Sequence, residues 1–383
     1  MKNVYADNGS TSFPKAPGVS DAMKDFMDNV GTNVNRGGYE SSYSAALEIL
    51  NTRSLLCDLF HCSDTRNVIF TPGLTYSLNM ILRGFLKSGD HIITTSMEHN
   101  AVMRPLHDLT QGGVLYDTAL CNKYGELDVK NIETLINSKT KAVVMTHASN
   151  VCGTVLPVYD VAEICRKHGI KLIVDSAQTA GVLDIDMSSI DVLAFTCHKG
   201  LLAAQGLGGF IVKGDMAALI DPLIMGGTGS LSHEITQPMF LPDKFESGTM
   251  NIPAIMGLKK SLEYIRYTGI KTIHDKEMAL TEKFMHEMES VKDVELIGKK
   301  DLNNRVAVVS FDFKTMDNAM VSSFLDSDYK IMTRCGMHCA PCAHKTLGTY
   351  PQGTVRFSFG HFNTMEDVYY VSHSVKEILL RGI

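Results

Sequence analysis

The chain has 383 residues, 44% hydrophobic and 20% charged, with a formal net charge of -6. That is enough apolar material for a large core, most naturally in two domains, and it lacks the basic excess that a nucleic-acid binder needs to neutralise phosphates. The opening MKNVYADNGSTSFPK has no apolar stretch of a secretion signal, and no run approaches the ~20 residues of a membrane span. The expectation is a cytoplasmic protein with neither nucleic acid nor membrane as partner. Nine scattered cysteines, an odd number, do not form a disulfide framework and are read as reduced thiols.

In chain order, Tyr5 to Pro14 reads as a short strand and turn. The loop Asn35-Arg36-Gly37-Gly38-Tyr39 precedes a helix from about 41 to 60. Asn67 to Phe70 is a strand, Thr71-Pro72-Gly73 a tight turn, and Leu74 to Leu86 a helix with apolar residues at 74, 78, 81, 82 and 85. Gly73 therefore stands at a helix N-terminus, where unpaired N–H groups and the positive dipole end bind phosphate without a basic side chain. Thr75 adds a hydroxyl, although a Thr/Gly helix entry without ligand fits the same residues. A strand, His91 to Thr95, leads to Met97-Glu98-His99. There follow a strand at 114–117, a helix over about 128–138, a strand at 142–147 closing on Ser149-Asn150, and a helix at 157–168. This alternation predicts an α/β fold with a doubly wound, mostly parallel sheet.

Two apolar runs then end in chemistry. Leu172 to Val174 reads as a buried strand with Asp175 at its C-terminal end and Gln178 three residues on. That is where open α/β sheets place ligands, and a carboxylate there is costly unless paired. Val192 to Phe195 is the next strand, delivering Thr196, Cys197, His198 and Lys199 together. Gly206, Gly208 and Gly209 let the backbone pass close to something before a strand at 210–212. A lysine ending a strand is commonly just solvated; the Asp175 stretch shifts the balance toward an aldehyde cofactor with a phosphate. Further on, Gly226-Gly227-Thr228-Gly229 reads as a mobile gate loop, and Phe245 to Asn251 as a polar turn into a helix.

From about 265 the pattern is that of a smaller α/β domain, with helices at about 269–290, 317–326 and 364–380 and strands at 305–312, 329–333 and 355–359. The expected division is 1–20 associated with the small domain, 21–260 the large domain, and 261–383 the small one. The small domain holds Arg334-Cys335-Gly-Met-His338-Cys339-Ala-Pro-Cys342. Three cysteines at this spacing also suit an iron–sulfur cluster of a radical enzyme, but that reading leaves Asp175, Gln178 and Lys199 without a role.

With strand-Asp-x-x-Gln, strand-Thr-x-His-Lys and Arg-x-Gly-x-His-Cys-Ala in place, nearly the whole chain resembles the class V aminotransferase superfamily, in its cysteine desulfurase and selenocysteine lyase branch. The resemblance implies a fold type I homodimer with pyridoxal 5'-phosphate. Lys199 would carry the cofactor aldehyde and move the substrate α-proton, and Asp175 would pair with the ring nitrogen. Gln178 would reach the ring phenol oxygen, and His99 would stack on the ring and take part in proton transfer. Gly73, Leu74, Thr75, Thr196 and His198 would form the phosphate cup, joined by Thr249 from the other subunit. Asn150 would lie by cofactor oxygen and substrate, Arg356 would clamp the substrate carboxylate, and Arg334 would line the same pocket. Family members often have His where Tyr39 stands, so substrate contacts near it would differ. Cys339 would be the nucleophile, because keeping the sulfur while a C–S bond breaks requires a thiolate to attack that sulfur. Cys335 and Cys342 are additions to the motif. The expected reaction is L-cysteine to alanine, with persulfide passed to an acceptor protein. A selenocysteine lyase would use the same site, whereas a plain aminotransferase or a C–S lyase could dispense with Cys339.

Overall fold

The computed structural model describes residues 2–34 and 37–380; Arg36 of the glycine-rich loop lies outside them. In chain order the elements begin with β1 (Val4–Tyr5), α1 (Val19–Asp25), α2 (Glu40–Phe60), β2 (Val68–Thr71), α3 (Leu74–Phe85), β3 (His91–Thr95), α4 (Asn100–Thr110) and β4 (Leu115–Ala119). Next come α5 (Lys130–Glu133), β5 (Thr140–Thr146), α6 (Val158–His168), β6 (Lys171–Asp175), β7 (Val192–Thr196), β8 (Gly208–Val212) and α7 (Gly214–Leu219). The remainder is α8 (Ile252–Thr268), α9 (Ile270–Glu289), β9 (Val294–Ile297), β10 (Val309–Phe313), α10 (Asn318–Tyr329), β11 (Ile331–Met332), β12 (Arg334–Gly336), α11 (Pro341–Leu347), β13 (Thr354–Phe357) and α12 (Met365–Leu380).

Seven strands form one sheet in the order β2-β8-β7-β6-β5-β3-β4. Only β8 runs antiparallel to its neighbours; the β3, β4, β5, β6 and β7 pairings are parallel. The uninterrupted apolar runs of the sequence follow from burial on both faces. On β5, Val143 and Met145 enter one apolar cluster while Ala142 and Val144 enter the other. The same alternation holds on β7, with Leu193 and Phe195 on one side and Val192 and Ala194 on the other. Because β3, β5, β6 and β7 are parallel, their C-terminal ends share one edge, and all the chemistry-bearing loops begin there.

The glycines of β8 have a packing reason. A Cβ on Gly208 would stand 2.8 Å from the Gly73 Cα and 2.8 Å from the Phe195 carbonyl oxygen. The close approach inferred from the sequence is therefore between β8 and the turn that starts α3. Around Gly73 itself nothing lies within 4 Å of where a Cβ would sit.

A second sheet, β12-β13-β10-β9, is antiparallel throughout. Its core is aromatic, with the Phe284 ring 4.9 Å from that of Phe357 and 5.1 Å from that of Phe359. The N-terminal strand β1 pairs in parallel with β11, so the segment that opens the chain is anchored beside its C-terminal part. One expected element is shortened: instead of a helix over about 128–138 there is only the short α5. Asn137 and Thr140 explain this. The Thr140 hydroxyl accepts from Asn137 N–H at 2.9 Å and the Asn137 side-chain Oδ1 from Lys139 N–H at 2.9 Å, turning the backbone out of the helix. Strands β9 and β12 and helices α1, α7 and α11 go beyond the pattern read from the sequence, whereas α8 is the helix expected after the polar turn at Phe245 to Asn251.

Candidate active site

A cavity of about 370 Å³ opens at the C-terminal edge of the large sheet. One wall is the turn Pro72-Gly73-Leu74-Thr75 at the start of α3, and Thr196 and His198 face it with Gln205, Gly206 and Leu207. The first amides of α3 lack helical acceptors by geometry, and the helix dipole favours an anion there. His198 is neutral at physiological pH, its pKa lowered to about 4 by burial and then by Lys199. Its Nδ1 is buried without a partner.

The deeper part holds Asp175, Gln178 and Lys199. Burial lowers Lys199 from 10.5 to about 8, with the Arg356 charge adding to the effect. Asp175 is buried at the end of β6, and one of its oxygens accepts from Ala177 N–H at 2.8 Å. Burial raises its pKa, and the Ala177 hydrogen bond and the Lys199 charge offset this only in part. Such a carboxylate is incomplete without a cationic donor in the cavity. A phosphate cradle at a helix N-terminus, a buried lysine pushed toward its neutral form and an under-partnered carboxylate together fit pyridoxal phosphate.

His99 caps α4, its Nδ1 accepting from Ala101 N–H at 3.0 Å. With Nδ1 so used, and with burial lowering its pKa to about 4, His99 is a neutral ring whose Nε2 carries the hydrogen. Its neighbour Glu98 is fully buried and pushed up to about 8 by that burial, while accepting from Thr95 Oγ1 at 2.5 Å and Thr146 N–H at 3.0 Å. Gln178 donates to the Gly9 carbonyl at 3.0 Å, which fastens the N-terminal segment to the cavity.

The C-terminal motif reaches the same rim. Asn150, a cavity residue, donates from Nδ2 to the His338 carbonyl at 2.8 Å. Asn100 N–H donates to the Cys339 carbonyl at 2.8 Å. These two bonds hold consecutive residues in the left-handed region, His338 at φ 47° and Cys339 at φ 58°, a conformation that costs non-glycine residues about 1–2 kcal/mol each. The Cys339 side chain is exposed, and Arg334 stands 3.6 Å from its sulfur. Arg334 also donates to Ser10 Oγ at 3.0 Å, and Ser10 lines the cavity. Because side chains alternate along a strand, the next residue of β12, Cys335, turns the other way and packs against the aromatic core. Among the described residues no group of three His, Cys, Asp or Glu could hold a metal ion, so the three cysteines do not converge as an iron–sulfur reading requires.

Arg356 is almost wholly buried. Its fork donates to Asp7 Oδ1 at 2.8 Å, Ser10 Oγ at 2.7 Å and the Asn150 carbonyl at 3.0 Å, leaving Nε unpartnered. The open bidentate clamp expected from the sequence is therefore closed on the protein itself, and a substrate carboxylate would have to take the place of Asp7 or Ser10. Asp7, Ser10, Glu98 and Asn100 were not singled out from the sequence. The only signal for the first two was the Asn-Gly-Ser-Thr run near the start.

Thr249, Tyr39 and the glycine loop stand apart from the cavity. Thr249 is exposed, 3.5 Å from Asn33 Nδ2; Tyr39 precedes α2 and accepts from the Thr32 hydroxyl at 3.1 Å. Thr228 lines a separate cavity of about 240 Å³ with Arg53 and Glu246.

The family model for class-V aminotransferases matches residues 4–371. The chain belongs to that family. It is 30% identical over 388 residues to a probable cysteine desulfurase of Methanothermobacter thermautotrophicus, covering 99% of this chain and 96% of the relative. A probable cysteine desulfurase of Pyrococcus abyssi is also 30% identical, over 95% of this chain and 91% of its own length. Among solved structures, the apo cysteine desulfurase of Thermococcus onnurineus superposes with a TM-score of 0.91 at 30% identity, covering 100% of this chain and 95% of that one. A cysteine desulfurase of Escherichia coli gives 0.89 at 25% identity, with 100% and 96% covered. The α/β architecture with its large, mostly parallel sheet is thus that of the fold type I enzymes, as expected from the sequence.

Proposed function

We propose that this class-V family member is a cysteine desulfurase that converts L-cysteine to alanine and carries the sulfur as a persulfide on Cys339. The observation that carries this reading is the placement of Cys339: an exposed thiol on a backbone held left-handed, bonded through its own and its neighbour's carbonyl to the rim residues Asn100 and Asn150. An aminotransferase has no use for a thiol so presented. The relatives and solved structures that bear the same activity in their names support the reading.

Pyridoxal phosphate, when bound, supplies an electron sink for the bonds broken at the substrate α- and β-carbons. The residues divide the rest. The amides of Leu74 and Thr75, the Thr196 hydroxyl and His198 would hold its phosphate, and Asp175 would hold the ring nitrogen. Lys199, mostly neutral above about pH 8, would hold the cofactor aldehyde and would take and return the substrate α-proton. His99, a cavity residue, would lie over the ring and donate from Nε2. Arg356 releases Asp7 or Ser10 to receive the substrate carboxylate, and Arg334 keeps a positive charge beside the Cys339 sulfur. The Cys339 thiolate attacks the substrate sulfur; an S–S bond forms as the Cβ–S bond breaks, and the electron pair stays with the carbon skeleton. That skeleton leaves as alanine once protonated, and an acceptor protein takes the outer sulfur from exposed Cys339.

The protein is further proposed to act in the cytoplasm as a homodimer. Tyr43, Leu47 and Leu50 form an exposed apolar stripe on α2, and Leu223, Ile224, Met225, Met239 and Phe240 are exposed on the segment before Thr249. A monomer would leave these faces wet, and a second copy would cover them while bringing Thr249 to its partner's phosphate cup. The chain is proposed to divide into the N-terminal 1–20, a cofactor domain at 21–260 and a small domain at 261–383.

The test is Cys339→Ala, assayed with L-cysteine and L-selenocysteine. Alanine formation from cysteine should fall by roughly 10²–10⁴-fold, as for loss of a group that acts directly in the reaction, while cofactor content is unchanged and persulfide disappears from the protein. A wild type that forms alanine from L-selenocysteine and not from L-cysteine would make the protein a selenocysteine lyase. Persulfide on Cys342 or Cys335 of the wild type, with Cys339 unmodified, would sink the assignment of the nucleophile.

A further inference from the structure

Two further cysteines stand together at the end of α2, where the proposed reaction makes no use of them. The helix stops at His61, whose φ of 55° is left-handed, and Cys62 N–H donates back to the Cys57 carbonyl at 2.9 Å. This closure sets the side chains of its two end residues against each other, a place ordinarily filled by an apolar contact. Here both are cysteines, and the backbone bond between them sets their side chains side by side. Cys62 Sγ in turn reaches the Asp64 carbonyl at 3.2 Å. Cys57 is buried and Cys62 half-buried, so one thiol is reachable from solvent and the other waits behind it. Disulfide-bonded residues have Cα atoms about 4.4–6.8 Å apart, and a direct backbone hydrogen bond between the two residues keeps them in that range.

We propose that Cys57 and Cys62 form a second reactive-thiol site, a dithiol that reduces small disulfides and closes to an intramolecular bridge. In the first step the Cys62 thiolate attacks one sulfur of a low-molecular-weight disulfide; an S–S bond to Cys62 forms, the original S–S bond breaks, and one thiolate leaves. In the second, Cys57 gives its proton to water and attacks the Cys62 sulfur, expelling the second thiolate. Two electrons pass from the protein to the small disulfide, and the two protons end on its thiols or in solvent. The order follows from exposure and from charge. The neighbouring Cys57 thiol pulls Cys62 from 9.0 down to about 7, whereas burial pushes the thiols of Cys121 and Cys165 up to about 12. Closing so short a loop at the end of a formed helix restrains the unfolded chain little, so the bridge is a redox state of the site and not a staple of the fold.

The experiment exposes the holoenzyme to oxidised glutathione near neutral pH, quenches with alkylating agent and maps the thiols by mass spectrometry without reduction. The wild type should show a Cys57–Cys62 bridge and no glutathione held on either residue. Cys57→Ser should stop at glutathione on Cys62, and Cys62→Ser should leave Cys57 free. In the untreated wild type, alkylation of Cys62 should rise with pH to a plateau with its midpoint near 7, a readout that needs no variant to fold. The idea is overturned if the wild type carries glutathione on Cys339 with no 57–62 bridge, or if glutathione stays on Cys62 although Cys57 is present.

Discussion

The cofactor cradle and the loop that carries Cys339 are built in opposite ways. Asp175, Thr196 and Lys199 stand at or just beyond the ends of parallel strands in the middle of a sheet buried on both faces. Their positions follow from strand register and from the packing of glycines against neighbouring backbone. Cys339 is exposed, sits on a strained left-handed backbone, and depends on a few hydrogen bonds to groups far away in the chain. The difference suits the two proposed jobs. Chemistry at the cofactor needs atoms fixed in a dry site, whereas a sulfur carrier has to meet the substrate on one side and an acceptor on the other.

Removing Lys199 strikes the cradle hardest. Lys199→Ala should lose the covalent attachment of cofactor altogether and reduce alanine formation by at least ~10⁴-fold, because attachment and proton transfer go together. Borohydride reduction followed by peptide mapping checks it: cofactor fixed to any other lysine would show that the lysine has been misassigned. Next in size is Asp175→Asn. A neutral amide gives up a charge-assisted hydrogen bond worth about 1.5–3 kcal/mol, so turnover should fall ~10–100-fold while much of the cofactor stays bound through its phosphate. Near-normal turnover in this variant would break the reading of β6.

How far the sequence could be read divides along the same line. That Asp175, Gln178, His198 and Lys199 gather at one cavity was legible because each follows a continuous apolar run, and such a run marks a central strand whose C-terminal end opens at the sheet edge. The role of the β8 glycines was legible as a close approach, although the partner, Gly73, lies on another strand–helix turn. Asp7 and Ser10 were not legible as partners of Arg356: the bonds that join them span 349 and 346 residues, and no local pattern encodes a contact of that separation. The same holds for Asn150, read as a cofactor residue and found bonded to the His338 carbonyl across 188 residues. The helix after residue 128 was overread, since its apolar spacing was real but Asn137 and Thr140 offered the backbone better partners.

A smaller effect separates a buried lysine from an ordinary one. Below about pH 8 Lys199 is mostly protonated, and above it mostly neutral. The rate at which cofactor-free protein captures pyridoxal phosphate should therefore rise about tenfold per pH unit and level off near pH 8, because only the neutral amine attacks an aldehyde. Stopped-flow absorbance measures it. A rate that keeps climbing toward 10.5, the value of an unperturbed lysine, would mean that the cavity does not desolvate the amine.

The smallest effect falls on the join between the two regions. Asn150→Ala removes the side-chain bond to the His338 carbonyl but leaves the bond from the Arg356 guanidinium to the backbone carbonyl of residue 150 in place. One neutral hydrogen bond is worth about 0.5–1.5 kcal/mol, and the strained His338–Cys339 backbone would relax to spend more time out of reach of the substrate sulfur. The expected outcome is a fall in kcat of roughly 2–10-fold, with persulfide formation slowed to the same degree in a single turnover and the KM for L-cysteine little changed. If Asn150 served mainly as a cofactor contact, the loss would appear instead as weaker cofactor retention during dialysis, with single-turnover persulfide formation normal in the fraction still loaded. Measuring both on one preparation decides which region Asn150 belongs to. A variant normal in both would show that the bond to His338 does not control where Cys339 stands.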